Sequence, residues 1–163
     1  KTKVIDPEFA FYGPIGYDLG NVVGNLFFSY IHSDIVMSDE VEKRAYLNYL
    51  ETTIAEIVDK FTEKFIRAYD EKVIDPMAKN PLYKRWMIAS ILEDAAGMAG
   101  TEIIRRTIGD SKVKEIESIE SIEARVYMDK FLILLGKSLI KDRYKIKTGK
   151  DYVALIDKIK KLI

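Results

Sequence analysis

The chain has 163 residues, of which 48% are hydrophobic and 32% charged. That is the composition of a folded domain with a substantial core, not of a disordered segment. Its 26 Lys and Arg balance its 26 Asp and Glu, and it contains no Cys. No basic surplus therefore argues for nucleic acid, and a disulfide scaffold or thiolate metal site is excluded, in keeping with a reducing compartment. No apolar run approaches the ~18 residues of a membrane span, so no membrane partner is expected.

Thr2 to Glu8 reads as the one credible strand. Asp6 and Glu8 stand two apart in it, and on extended backbone such residues point to the same side. Pro7 between them resists the helical alternative. Two carboxylates on one short segment suit Mg²⁺, whose shell is completed by water and substrate phosphates. On spacing alone the plainer reading is a strand end running into an acidic turn. Phe9 to Ile15 is an aromatic loop closing on the Gly13-Pro14 turn signal. Asp18 is a candidate N-cap for a buried helix over residues 21–31, with His32, the only histidine, at its C-terminal end where the dipole favours it. Gly13, Gly16, Gly20 and Gly24 spell no phosphate loop and read as turn and close-packing positions.

Ser38 is the expected cap of the next helix, whose first turn carries Asp39, Glu40 and Glu42. Leu47, Leu50, Ile54, Ile57, Phe61, Phe65 and Ala68 recur at three- and four-residue steps, which predicts one long amphipathic helix. Asp75-Pro76 and Asn80-Pro81 end that region. A second long helix is expected over residues 82–107, apolar or small nearly all round from Trp86 to Ile104 and therefore central, with Trp86 in the core. Gly97 and Gly100 each cost that helix about 1 kcal/mol relative to Ala, which implies close approach by another element or a ligand. Residues 111–122 form a charged connector. Ile122, Val126, Phe131, Leu134, Leu135 and Leu139 mark a third long helix, and Thr148 with Asp151 a capping box for a last one carrying Tyr152, Leu155, Ile156, Ile159 and Leu162.

Arg105 and Arg106 are the second chemical candidate. Neighbouring helical residues point ~100° apart, so the two converge only if the last turn unwinds before Gly109. Guanidinium is always charged and donates along two edges, which suits sugar hydroxyls and phosphoryl oxygens. Compensation of the C-terminal dipole with surface ion pairs is the plainer explanation.

Val4-Ile5-Asp6-Pro7-Glu8-Phe9-Ala10-Phe11-Tyr12-Gly13-Pro14, followed by Gly16-Tyr17-Asp18-Leu19-Gly20, resembles the metal-binding segment of the methylthioribose kinases, within the aminoglycoside- and choline-kinase-like phosphotransferases. Residues 93–109, with the twin arginines, resemble a helix of the same family. The resemblance implies a mainly α fold, the C-terminal lobe of a protein-kinase-like architecture with one short N-terminal strand, and residues 1–163 as the substrate- and metal-binding lobe. It implies Mg²⁺ ligands at Asp6 and Glu8, a supporting role for Asp18 in bracing the catalytic loop, and substrate binding by Arg105 and Arg106. ATP and a small sugar, S-methyl-5-thioribose, are the implied substrates, in a cytoplasmic enzyme of methionine salvage; a homodimer is left open.

The family's His-Gly-Asp loop, which supplies the base, and the nucleotide-gripping lobe are expected upstream of Lys1. No catalytic base is assigned within residues 1–163, and this stretch by itself is expected to be inactive. A related small-molecule phosphotransferase is the near alternative. A helical interaction domain without chemistry is the distant one; it would scatter Asp6/Glu8 and Arg105/Arg106 over unrelated surfaces, whereas the kinase reading sets them around one cleft.

Overall fold

A computed structural model describes residues 11–163, and most of that span is helix. In chain order come α1 (Gly16–Val36), α2 (Glu40–Lys72), α3 (Pro81–Ile108), the single turn α4 (Lys114–Glu117), α5 (Ile122–Lys141) and α6 (Gly149–Lys160), with a 3-10 turn at Arg143–Lys145 before the last. No strand occurs among the described residues. The strand expected over Thr2–Glu8 lies outside them.

Local chemistry sets most of the helix starts. Asn80 caps α3, its Oδ1 accepting from the Leu82 N–H at 2.9 Å, with Pro81 in the first turn where no N–H is needed. The Thr148–Asp151 capping box forms both of its reciprocal bonds. The cap of α2 is Asp39 rather than Ser38: its Oδ1 accepts from the N–H groups of Val41 and Glu42, each at 2.9 Å. A carboxylate one residue closer to the helix outcompetes the hydroxyl, and the dipole favours its charge.

α1 departs further from expectation. It starts at Gly16, where the Pro14 carbonyl accepts the Tyr17 N–H at 3.0 Å, so Asp18 lies inside the first turn and is not its cap. It also runs past His32 to Val36. His32 therefore does not end the helix; its Nε2 lies 3.0 Å from Ser118 Oγ, just past α4.

α3 is the axis of the domain. Gly16, Gly20 and Gly24, spaced by four, share one face of α1 and lie against it. A methyl group added to Gly16 would fall 2.5 Å from the Ile91 carbonyl oxygen, and one added to Gly20 2.5 Å from that of Ala95. Contact positions rise together along both chains, so α1 and α3 run parallel, backbone to backbone. On another face a methyl at Gly100 would sit 2.6 Å from the Gly136 carbonyl oxygen of α5. Ile104 also meets Gly136 while Gly97 lies beside Arg143, so α5 runs antiparallel to α3. The close approach expected at Gly100 is thus between helices. Gly97 is different, its nearest neighbour to an added methyl being the flexible Arg143 side chain at 3.4 Å.

Val23, Phe27 and Ile31 of α1, Ile54 and Val58 of α2, Phe131, Leu135 and Leu139 of α5, and Tyr152, Ile156 and Ile159 of α6 complete the core. The connector after α3 is not merely charged, since Ile116 of α4 is fully buried. Four expectations fail at the edges, one of them Leu162, which lies past the end of α6 and is exposed. Trp86 is 61% exposed and α3 is buried only from Ile91 onward. In α2 the stripe shifts to Val58 and Tyr69, with Phe61 and Phe65 half-buried and Ala68 exposed. The cause is length: α2 has 33 residues and outruns α1, with 21, and α6, with 12. Likewise Ile122 and Val126 are exposed, because α5 begins beyond the end of α3 in the antiparallel register.

The two glycine environments predict opposite responses. Gly20→Ala must push α1 away from α3 and is expected to cost about 1–3 kcal/mol. Gly97→Ala meets only a movable side chain and stiffens the unfolded chain, so it is expected to stabilise by about 0.4–1 kcal/mol. Urea melts of the two variants check both signs.

Candidate functional site

Arg105 and Arg106 occupy the last turn of α3, which stays helical to Ile108 and stops at Gly109, whose N–H reaches the Arg105 carbonyl at 3.0 Å. The turn does not unwind to bring them together, as the sequence had suggested it must. Glu102, one turn earlier, does so. It stands three residues before one arginine and four before the other, the two spacings at which helical side chains are neighbours. Arg105 Nε donates to Glu102 Oε2 at 2.9 Å, with a second bond from its Nη2 to the same oxygen. Arg106 Nε donates to the other oxygen, Oε1, at 2.8 Å. The reach of the two side chains absorbs the angular divergence of their backbones.

Glu102 was not singled out in the sequence, where it looks like one more surface acid of a charged helix end. Its side chain is only 8% exposed, against 28% for Arg106 and 54% for Arg105. Burial pushes its carboxyl up, but hydrogen bonds from Arg106 and Arg105, and their charges, outweigh burial and hold it below the usual Glu value. The surface-ion-pair explanation therefore does not describe this cluster, since its acid is inside the fold. Arg106 is braced again beyond the helix: its Nη1 donates to Ser111 Oγ at 2.9 Å and to the Ser111 carbonyl at 3.2 Å. Lys112 Nζ donates to the Thr107 carbonyl at 2.7 Å, satisfying one of the open groups of the helix end.

With two guanidiniums on one carboxylate, the cluster keeps one net positive charge. Arg105 Nη1 and Arg106 Nη2 have no hydrogen-bond partner among the described residues. Those donors can take an anionic or hydroxyl oxygen.

Asp18 is exposed on the first turn of α1. The parallel register sets that turn level with Ile91 and Ala95, so Asp18 and the arginines are separated by about 15 Å along α3 at 1.5 Å per residue. The structure joins Arg105 to Arg106 but does not add Asp18 to them. Asp6 and Glu8 lie outside the described residues, as does any cleft between them and the arginines. No group of three or more His, Asp or Glu that could hold a metal occurs among the described residues, and none of their helices is long and apolar enough to cross a membrane.

A protein of Bacillus pumilus named methylthioribose kinase is 33% identical to this chain over 155 residues, 95% of the chain and 37% of that protein. A protein of the same name from Erwinia tasmaniensis is 40% identical over 143 residues, covering 85% of the chain and 34% of its own length. A third, from Exiguobacterium sibiricum, is 36% identical over 151 residues, 93% of the chain and 36% of that protein. This chain belongs to the methylthioribose kinase family. It spans just over a third of the length of these relatives. No family model matches it.

The shared carboxylate makes the family member's two arginines energetically dependent on each other. Arg105→Ala or Arg106→Ala alone leaves Glu102 paired and is expected to cost about 1 kcal/mol. The double variant strands a buried carboxylate and is expected to cost about 3–5 kcal/mol. A double-mutant cycle by urea denaturation measures the excess. Because the folded carboxyl is held below its ordinary value of 4.5, its stabilisation is fully present above that pH. It fades as pH falls through the lowered value. Glu102→Gln removes this acid-sensitive part, and melts at successive acid pH values detect its loss.

Proposed function

We propose that this chain is the substrate- and metal-binding lobe of a kinase that moves the γ-phosphoryl group of ATP to O1 of S-methyl-5-thioribose. Residues 1–163 then form the C-terminal part of a protein-kinase-like fold. Family membership sets the reaction class. The observation that carries the site is the pair of guanidiniums anchored on Glu102, with one unpartnered Nη on each among the described residues and one net positive charge.

Phosphoryl transfer needs little covalent chemistry from a protein; positioning and charge stabilisation supply most of the rate. Arg105 and Arg106 fit that demand. One arginine holds sugar hydroxyls while the other faces the oxygens of the transferring group. Asp6 and Glu8 offer the hard oxygen donors that a Mg²⁺ ion takes, and the chemistry of that donor set fits the ion. When bound, Mg²⁺ neutralises charge on the nucleotide phosphates. Asp18 is assigned to bracing the catalytic loop, and the base that accepts the sugar hydroxyl proton is assigned to neighbouring sequence, since no His-Gly-Asp segment occurs here.

In the full-length enzyme, Asp6→Asn and Glu8→Gln are expected to lower kcat by orders of magnitude. Arg105→Ala and Arg106→Ala each forgo charge-assisted hydrogen bonds and are expected to lower kcat/KM for the sugar about 10–100-fold. The 163-residue stretch alone is expected to give no turnover. The assay is ATP-dependent phosphate incorporation into methylthioribose. Turnover by the stretch alone at the full-length rate, or carboxylate variants with normal kcat, would overturn the assignment.

A further inference from the structure

We propose that Glu102 is a positioning residue for the phosphoryl-transfer site: it holds Arg105 and Arg106 side by side, so that one meets the sugar hydroxyls while the other faces the transferring phosphoryl group. The inference rests on the reading of the arginines as substrate-binding residues and adds to it the acid that organises them.

Geometry carries the proposal. Consecutive residues of an intact helix point ~100° apart, and α3 is intact through both arginines. Two guanidiniums on such a turn diverge into solvent unless something inside the angle holds them. Glu102 lies inside that angle and divides its two oxygens between them, Oε2 to Arg105 and Oε1 to Arg106. The bonds run through Nε of both arginines, so each planar group is held from within, and Arg105 Nη1 and Arg106 Nη2 are left for a ligand. Ser111 takes Arg106 Nη1 and fixes that plane from the far side.

Burial adds an independent reason. Dipole compensation at a helix end needs only the cations, and an exposed acid would suffice for a surface ion pair. A carboxylate 8% exposed has surrendered its hydration, and buried ion pairs are poor contributors to net stability. Its return is orientation: the arms of two flexible residues are fixed before any ligand arrives, which lowers the ordering cost of binding.

The positioning role and a plain charge role differ in sign. Replacing Glu102 by Gln removes a negative charge, so simple electrostatics makes the site more attractive to a phosphoryl group. Loss of orientation makes it worse. The test uses the full-length enzyme and measures kcat and KM for methylthioribose in Glu102→Gln and Glu102→Asp, with Arg105→Ala and Arg106→Ala alongside and a thermal melt of each. Glu102→Gln is expected to lower kcat/KM at least tenfold despite the added positive charge. Glu102→Asp keeps the charge on a shorter arm that cannot span both guanidiniums, and is expected to fall between Gln and wild type. Should Glu102→Gln fail to fold, the Asp variant decides by the same kinetics. Unchanged or improved kcat/KM in the folded variants, with only the melting temperature lowered, would show a structural or charge role and overturn the proposal. Kinetics that respond to the arginines but not to Glu102 overturn the positioning role alone. Kinetics that respond to neither overturn the substrate-binding reading as well.

Discussion

Close backbone contact around α3 is the constraint from which the rest of the domain follows. Gly16, Gly20 and Gly24 let α1 lie directly on the backbone near Ala95 and Ala99, and Gly100 meets Gly136 of α5 in the same way. Helices normally pack with 8–10 Å between axes, set by the side chains between them. Removing those side chains costs helix propensity at every glycine but sets the spacing by the backbones themselves. The registers of α1 and α5 along α3 are thereby fixed, and the larger residues of all three fill the remaining space.

That register explains how a charged cluster comes to be partly internal. Glu102 belongs to the stretch of α3 that α1 covers, its Cβ lying 3.7 Å from the place a methyl on Gly24 would take. Three residues later the helix is emerging from the core. Arg105 and Arg106 stand at that boundary, each with its Nε on a buried acid, Arg105 half-exposed and Arg106 tied on its far side to Ser111. A helix end is a favourable place for cations. Here it is also a place where the change from buried to exposed happens within one turn, so acid and bases share a helix but not a dielectric. The connector after α3 is tied in by Ser111 on Arg106 and by the buried Ile116 of α4. The following helix is thus coupled to the same corner.

The far end of the domain is built differently. Between residues 59 and 90 Tyr69 is the only buried side chain; its hydroxyl donates to the Ala78 carbonyl at 2.6 Å, and Lys84 reaches Asp70 at 2.6 Å. Local ties of this kind shape the α2–α3 turn without adding to the core. Apolar periodicity is present there, yet burial is not, because no helix of sufficient length lies alongside.

Much of the fold could be read from local chemistry. Asn80-Pro81, Thr148 with Asp151, and Gly109 mark helix ends because their effects act within one turn, and apolar periodicity marks α2, α3, α5 and α6 because it reflects one helix at a time. Family resemblance in residues 4–20 and 93–109 pointed to the arginines, and the chain proved to belong to that family; the metal-binding half of the expectation falls on Asp6 and Glu8, outside the described residues. Local chemistry left open which helices meet and at what level. Trp86 has the composition of a core residue but lies where α3 has no neighbour, while Glu102 has the composition of a surface residue but lies where α1 covers the helix. Identity and spacing along the chain determined the helices and the presence of twin guanidiniums. Only the tertiary packing decided that a buried carboxylate would hold them, because burial depends on what stands opposite a residue, and that partner is distant in sequence.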